Sequence, residues 1–378
     1  IRGGIEVART EERMHELWRR MTSANAWDIE AYMVSPDEVK EMVPFLDESV
    51  IIGGFYTPSV SVVDSLQAGT LMRQFAQDKG ALTLAPVTEV EDITTENGRV
   101  TGVVTNKGTF AAEHVVICCG VWAPRLARMA GATIPLTPAV HQMIDVGPLE
   151  ILQATNNEIG YPIVRDMDTF CYERQTGGSM EVGSYAHRPI FHRPDEIPSN
   201  EEAALSPTEM PFTQDDFDPQ LEQALELMGD ILDDAEIRYA INGLLSLTPD
   251  AMPVLGETEV ANLWSAAAVW VKEGPGIAQL IAEWMTYGYP HLCDPEGSDI
   301  ARLYHLLVEV VLGERHLGGG ECRLVVRRDL VGVVQDRPVG VRADLHRTRR
   351  LPFVTERVHV AHDRVADLVV GLGEDVDR

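Results

Sequence analysis

INGLLSLTPDAMPVLGETEVANLWSAAAVWVKEGPGIAQLIAE, residues 241–283, is the stretch that decides the fold. Thr248-Pro249-Asp250 is turn chemistry, because proline presets φ and the Asp side chain can bond its own backbone. Residues 263–271 are an apolar run of strand length, rich in Ala, Val and Trp. Gly274-Pro275-Gly276 lets the backbone turn sharply and come close to a neighbour. Ile277, Leu280, Ile281 and Trp284 then fall on one helical face. A strand, a glycine loop and a helix N-terminus aim free N–H groups and a positive dipole end at one point, which suits an anion or an electron-rich ring. The same pattern also serves as an ordinary strand–turn–helix packing unit, so alone it leaves both readings open.

Composition sets the outer bounds. A chain of 378 residues is long enough for two interleaved domains with their own cores. No apolar run approaches the ~18 residues that span a bilayer, and residues 1–20 carry charges throughout, unlike a secretory leader. A net charge of −28 repels phosphate and excludes nucleic acid as a partner. The five cysteines, Cys118, Cys119, Cys171, Cys293 and Cys322, have no zinc-ligand spacing, so no metal site is expected. Adjacent Cys118 and Cys119 lie in an apolar strand and read as buried thiols. The setting is a reducing one, cytoplasmic or, in a eukaryote, the mitochondrial matrix.

Working outward, residues 10–24 place Met14, Leu17, Trp18 and Met21 at helical spacing behind an acidic start. Ser35-Pro36-Asp37-Glu38 opens a second helix. Residues 51–56 form a strand broken by glycines, and residues 65–79 a helix closed by Gly80. Residues 83–93, 98–105, 108–111 and 114–118 read as strands, with Asn97-Gly98 as a hairpin turn. Residues 195–218 are acidic and proline-rich and read as a long surface loop, after which residues 219–234 regain helical periodicity. From residue 313 to 378 there are 12 Arg, 14 Val and no Lys, Ser, Asn, Ile, Met, Tyr or Trp. That break marks a domain boundary, a tail of different origin or, as the favoured reading, translation in a shifted frame.

A second ligand clue lies in HVVICCGVWAPRL, residues 114–126, where an apolar strand ends in Gly120 and Trp122 and Pro124 lead into a helix. This run and the TPD-x-x-P-x-x-G stretch, with its glycine loop, resemble the glycine oxidase/D-amino-acid oxidase superfamily of FAD-dependent oxidoreductases. The likeness is to its dimethylglycine oxidase/dehydrogenase and sarcosine dehydrogenase branch, over residues 3 to 304. The start, GGIEVA, resembles an interior strand of that family. The resemblance therefore implies an upstream dinucleotide-binding unit with the G-x-G-x-x-G fingerprint, which these residues lack.

The resemblance implies an α+β architecture. An FAD-binding α/β part spans residues 64–128 and 242–289, interleaved with a mixed or antiparallel substrate sheet from 1–63 and 131–241. It implies FAD contacts at Val87, Cys119, Gly120, Trp122, Val271, Lys272, Glu273, Gly274 and Gly276. Lys272 either tunes the flavin or faces solvent, and the adjoining Glu273 favours solvent. His141 in TPAVHQM and Tyr172 in DTFCYERQ match positions that face the flavin in relatives, and so become the catalytic candidates. Without the family, each reads as an ordinary structural residue. GSYAHRP supplies Tyr185, His187 and Arg188 as substrate-binding candidates, with Arg174 and Arg188 the nearby cations for a carboxylate.

The implied activity is hydride transfer from the N-methyl group of dimethylglycine or sarcosine to FAD, yielding the demethylated amine and formaldehyde or a folate adduct. O₂ or an electron-transfer flavoprotein would be the acceptor. A non-catalytic relative also resembles this branch, the regulatory subunit of pyruvate dehydrogenase phosphatase. A binding module or an inactive fragment thus remain the alternatives.

Overall fold

The structure is a computed structural model that describes residues 2–303, apart from 200–201, 204–205 and 233–234. The unusual stretch 313–378 lies outside the described residues. In chain order the elements are β1 (Gly4–Ala8), α1 (Glu11–Ala26), β2 (Tyr32–Val34), α2 (Pro36–Met42), β3 (Gly53–Thr57), α3 (Ser65–Asp78), β4 (Val90–Glu96), β5 (Arg99–Thr105), β6 (Gly108–Ala111) and β7 (Val115–Ile117). There follow α4 (Ala123–Met129), β8 (Thr137–Val146), α5 (Glu150–Gln153), β9 (Ile163–Asp166), β10 (Cys171–Thr176), β11 (Ser179–Ser184), β12 (Glu209–Met210) and α6 (Gln214–Met228). The last described elements are β13 (Ile237–Leu247), β14 (Val254–Glu257), β15 (Leu263–Ala267) and α7 (Gly274–Tyr287).

Helix starts follow local chemistry. Thr10 caps α1 by accepting from the Arg13 N–H, with Glu11 and Glu12 in the first turn. Ser35 and Glu38 form a reciprocal capping box around Pro36 at the head of α2. Asp64 caps α3 through the Gln67 N–H at 2.8 Å. Asn97 (φ 53°) and Gly98 (φ 76°) make the two-residue turn between β4 and β5.

Three local expectations are corrected. The strand expected from residue 83 begins at Val90, because Val87 sits at φ 52° and breaks the extended run. The helix expected from Pro219 begins at Gln214 and contains that proline, so the loop expected over 195–218 is shorter and also holds β12. Burial overrides the proline, since Phe217, Gln220, Ala224, Leu227 and Met228 form one sequestered face of α6. Cys118 is exposed rather than buried, because β7 stops at Ile117 and the next residue lies beyond the ladder.

The architecture is α+β and is dominated by a mixed nine-stranded sheet, ordered β12-β13-β8-β11-β10-β9-β1-β3-β2. The β1–β9 pair is parallel, and the other pairings are antiparallel. β13 runs to Leu247, so this sheet takes in residues past 241. One face of the sheet carries the main core, in which Ile5, Val7, Ile144, Val146, Val164 and Val182 meet α6. The second sheet is β14-β15-β7, with β15 and β7 parallel, and the third is β4-β5-β6. α3 buries no residue. Among the described residues no helix is long and apolar enough to cross a membrane.

Candidate active site

β8 alternates. Gln142, Ile144 and Val146 are buried on the core side, while His141, Met143 and Asp145 take the opposite face. The core side is pinned by Gln142 Nε2, which donates to Asn242 Oδ1 at 2.9 Å and to Thr213 O at 3.1 Å. His141 is thereby held on the opposite face of the sheet. Two strands away in the sheet, β10 presents Tyr172 on the same face as His141. The Gly177-Gly178 turn joining β10 to β11 sets the register Thr176↔Ser179, which places Tyr172 opposite Gly183. A Cβ at Gly183 would lie 2.2 Å from Tyr172 Cζ, so only glycine leaves room for the phenol ring. Tyr185 leaves β11 with its N–H bonded to Phe170 O at 3.1 Å.

These strands bring three rings together. His141 Nε2 lies 3.0 Å from Tyr172 Oη. The Tyr185 ring stacks on the imidazole, with centroids 4.3 Å apart and planes at 21°. Burial, aided by the nearby His187, pushes the His141 pKa down to about 4, and a Ser184 backbone group opposes the shift only weakly. The imidazole is therefore neutral near pH 7. Its Nδ1 is buried with no hydrogen-bond partner. Burial, with Glu181 close by, raises the Tyr172 phenol far above its ordinary range, so it stays protonated.

Arg174 follows two residues after Tyr172 on the same face of β10. Its Nη2 donates to Glu181 across the ladder, whereas its Nε is buried without a partner. Arg188, by contrast, gives its guanidinium to Asp216 in two bonds of 2.6 and 3.0 Å. His187 Nδ1 donates to the Arg188 carbonyl at 2.7 Å. Sequence reasoning missed Gly183 and Glu181. The Gly177-Gly178 pair was the available signal, because a two-residue turn fixes which residues face one another.

The expected cofactor residues cluster by topology. β7 and β15 are parallel neighbours, in register Leu263↔Val115 to Ser265↔Ile117. The segments that follow them, holding Cys119, Gly120 and Trp122 and then Val271, Lys272, Glu273, Gly274 and Gly276, leave the sheet at its carboxyl end. That end is where open α/β sheets take ligands. Gly274 and Gly276 have no atom within 4 Å of a would-be Cβ, and Gly120 only Ser246 Oγ at 3.8 Å. α7 begins without a side-chain cap, and its first N–H, on Gly274, donates to Trp270 O at 3.1 Å. This uncrowded glycine edge fits a flat cofactor ring. Lys272 is 72% exposed, paired with Glu273 and placed over the Trp270 ring, so it faces solvent. Trp122 packs against the core beneath, and Val87 is exposed in the turn before β4. Among the described residues, no group of three or more His, Cys, Asp or Glu is arranged for a metal.

A family model described as FAD dependent oxidoreductase matches residues 1–284. The chain is 30% identical over 316 residues to the mitochondrial sarcosine dehydrogenase of Homo sapiens, covering 81% of this chain and 33% of that protein. It is 25% identical over 297 residues to the human mitochondrial dimethylglycine dehydrogenase, covering 76% of this chain and 33% of that protein. The chain thus spans about a third of the length of these curated relatives. Among solved structures, the L-proline dehydrogenase from P. horikoshii superposes with a TM-score of 0.68 at 25% identity, covering 80% of this chain and 77% of that one.

Proposed function

Because the chain belongs to the family of FAD-dependent oxidoreductases, we propose that it oxidises an N-methylated glycine, sarcosine or dimethylglycine, at the N-methyl carbon. The names of the two human relatives support the substrate class. The observation that carries the reading is the neutral, buried His141, bonded through Nε2 to Tyr172 and stacked on Tyr185.

The chemistry needs an amine lone pair, and near neutral pH such amines are mostly protonated. The burial that pushes His141 toward its neutral form penalises a substrate ammonium in the same way. The neutral His141 imidazole orients the amine nitrogen, and the Tyr172 hydroxyl fixes the imidazole plane. The unpartnered Arg174 Nε, two residues along the same strand face, is the donor for the substrate carboxylate. Bound FAD supplies the hydride acceptor. Hydride loss from the N-methyl group leaves an iminium, which water splits to the demethylated amine and formaldehyde. Tetrahydrofolate can take the same carbon.

The test is formaldehyde release from sarcosine and dimethylglycine by the FAD-loaded protein. His141→Gln and Tyr172→Phe should each lower kcat/KM by about 10²-fold, the usual scale for a positioned proton-transfer group. Arg174→Met should act mainly on KM. Unchanged turnover in both ring variants would remove this face as the site.

A further inference from the structure

We propose that a pocket at the rim of the nine-stranded sheet is a second site, built for a small zwitterionic amino acid. The cavity, about 500 Å³, is lined by Asp168, Thr169, Phe170, Tyr185, Gln220 and Gln223. Its size lies in the range of small-molecule sites. It is bounded by the turn between β9 and β10 and by α6, and Tyr185, which stacks on His141, forms part of its wall.

Three features mark it as built for a ligand. The first is strain. Asp166 Oδ1 holds the turn by accepting from the N–H groups of Asp168 at 3.0 Å and Thr169 at 3.3 Å. The turn then carries Phe170 at φ 57°, a conformation that bulky residues avoid, and leaves its ring half exposed at the pocket. The second is unmet polarity. Thr169 Oγ1 and Gln223 Oε1, both on lining residues, are buried and have no partner. Arg13 Nε is also buried without a hydrogen bond, 3.9 Å from Asp168 Oδ1, and its guanidinium carbon stands 5.5 Å from the Phe170 ring centroid. The third is the pair of half-exposed rings, Phe170 and Tyr185, on one cavity.

Together these groups describe one ligand chemistry. The Thr169 hydroxyl on the lining, with the Arg13 guanidinium behind it between Glu16 and Asp168, suits a carboxylate. The Gln223 amide oxygen suits an ammonium, Asp168, which already accepts from Arg9 N–H and Thr10 Oγ1 at 2.7 Å each, adds negative charge beside it, and two ring faces suit N-methyl groups on a cation. A simple anion would leave Gln223 Oε1 unmet, and a simple cation would leave Arg13 Nε unmet. The pocket stands on these groups and not on the reaction at His141. Substrate and demethylated product share the zwitterionic chemistry, and binding of each is measured separately.

The experiment is saturation-transfer NMR on the N-methyl protons of glycine betaine, with sarcosine and glycine as competitors, on the full chain. Expected in the His141→Gln/Tyr172→Phe double variant is betaine binding within about twofold of wild type. Gln223→Leu and Thr169→Val should each weaken binding about tenfold, the scale of one charge-assisted hydrogen bond, without lowering the unfolding midpoint. Displacement by sarcosine alone marks a substrate-holding site, and displacement by glycine as well marks a site that also senses product. Binding that vanishes in the double variant, or that ignores both Gln223→Leu and Thr169→Val, overturns the proposal. Because betaine binding is read without turnover, failure of the N-methyl oxidation reading leaves this outcome separately decided.

Discussion

α6 and α3 are near twins in length, 15 and 14 residues, and each carries an apolar stripe. Their fates differ. α6 sinks Phe217 to 1% exposure and Ala224, Leu227 and Met228 to 0% against the nine-stranded sheet. α3 leaves Leu66, Leu71 and Phe75 more than 60% exposed. An amphipathic pattern thus states that a helix has an apolar side, while only tertiary context decides whether that side is covered. The contrast extends to the sites. The His141 face is locked from behind by α6 and the Gln142–Asn242–Thr213 bonds, whereas the glycine edge at the ends of β7 and β15 is open.

The largest expected effect breaks the closed side. Phe217→Ala should cost about 3–5 kcal/mol of unfolding free energy, read from denaturant titration, because a fully buried ring leaves a cavity. A cost under about 1 kcal/mol would mean that α6 is not packed as described.

Acid should act next. His141 titrates at about 4 in the fold against 6.5 in the open chain, so the unfolded state binds the proton first. Stability then falls as pH drops from about 6.5 to about 4, by on the order of 3 kcal/mol in total. His141→Gln should remove that slope, and an unchanged slope would place the proton uptake elsewhere.

Beneath α6, Glu173 is fully sequestered on the core side of β10, with neither oxygen hydrogen-bonded. Burial, with Asp166 nearby, raises its pKa well above the ordinary range. A raised carboxyl favours the fold only while protonated, so stability is lost as pH climbs above the usual carboxylate value. Glu173→Gln should therefore be more stable than wild type at neutral pH, with the gap widening as pH rises and closing in acid. Equal stability at every pH would show that the carboxyl is solvated. The smallest effect is on the open helix, where Phe75→Ala should stay within about 0.5 kcal/mol. A loss comparable to that at Phe217 would show that α3 is covered after all.

Much of the fold was legible because its signals are local. Ser35 and Asn97-Gly98 act within three residues of themselves, and Gly80 closes the helix over 65–79 at φ 68°. The start of α6 was not legible, since Pro219 argues for a boundary and only the burial of Phe217 overrules it. At the site, residue types were readable but partners were not. Arg188 finds Asp216 at 28 residues' separation, while Arg174 keeps a free Nε, and nothing in RQTGG or HRP distinguishes the two. The meeting of His141 with Tyr172 depends on β8, β11 and β10 lying side by side, which periodicity alone does not state.

At issue is whether the sheet face that holds His141 oxidises an N-methyl amine with FAD. That is tested most directly by the visible spectrum of FAD-loaded protein mixed anaerobically with sarcosine or dimethylglycine. Bleaching of the flavin band near ~450 nm is expected, slowed about 10²-fold in His141→Gln. A band that binds normally and stays unbleached with both amines would contradict it.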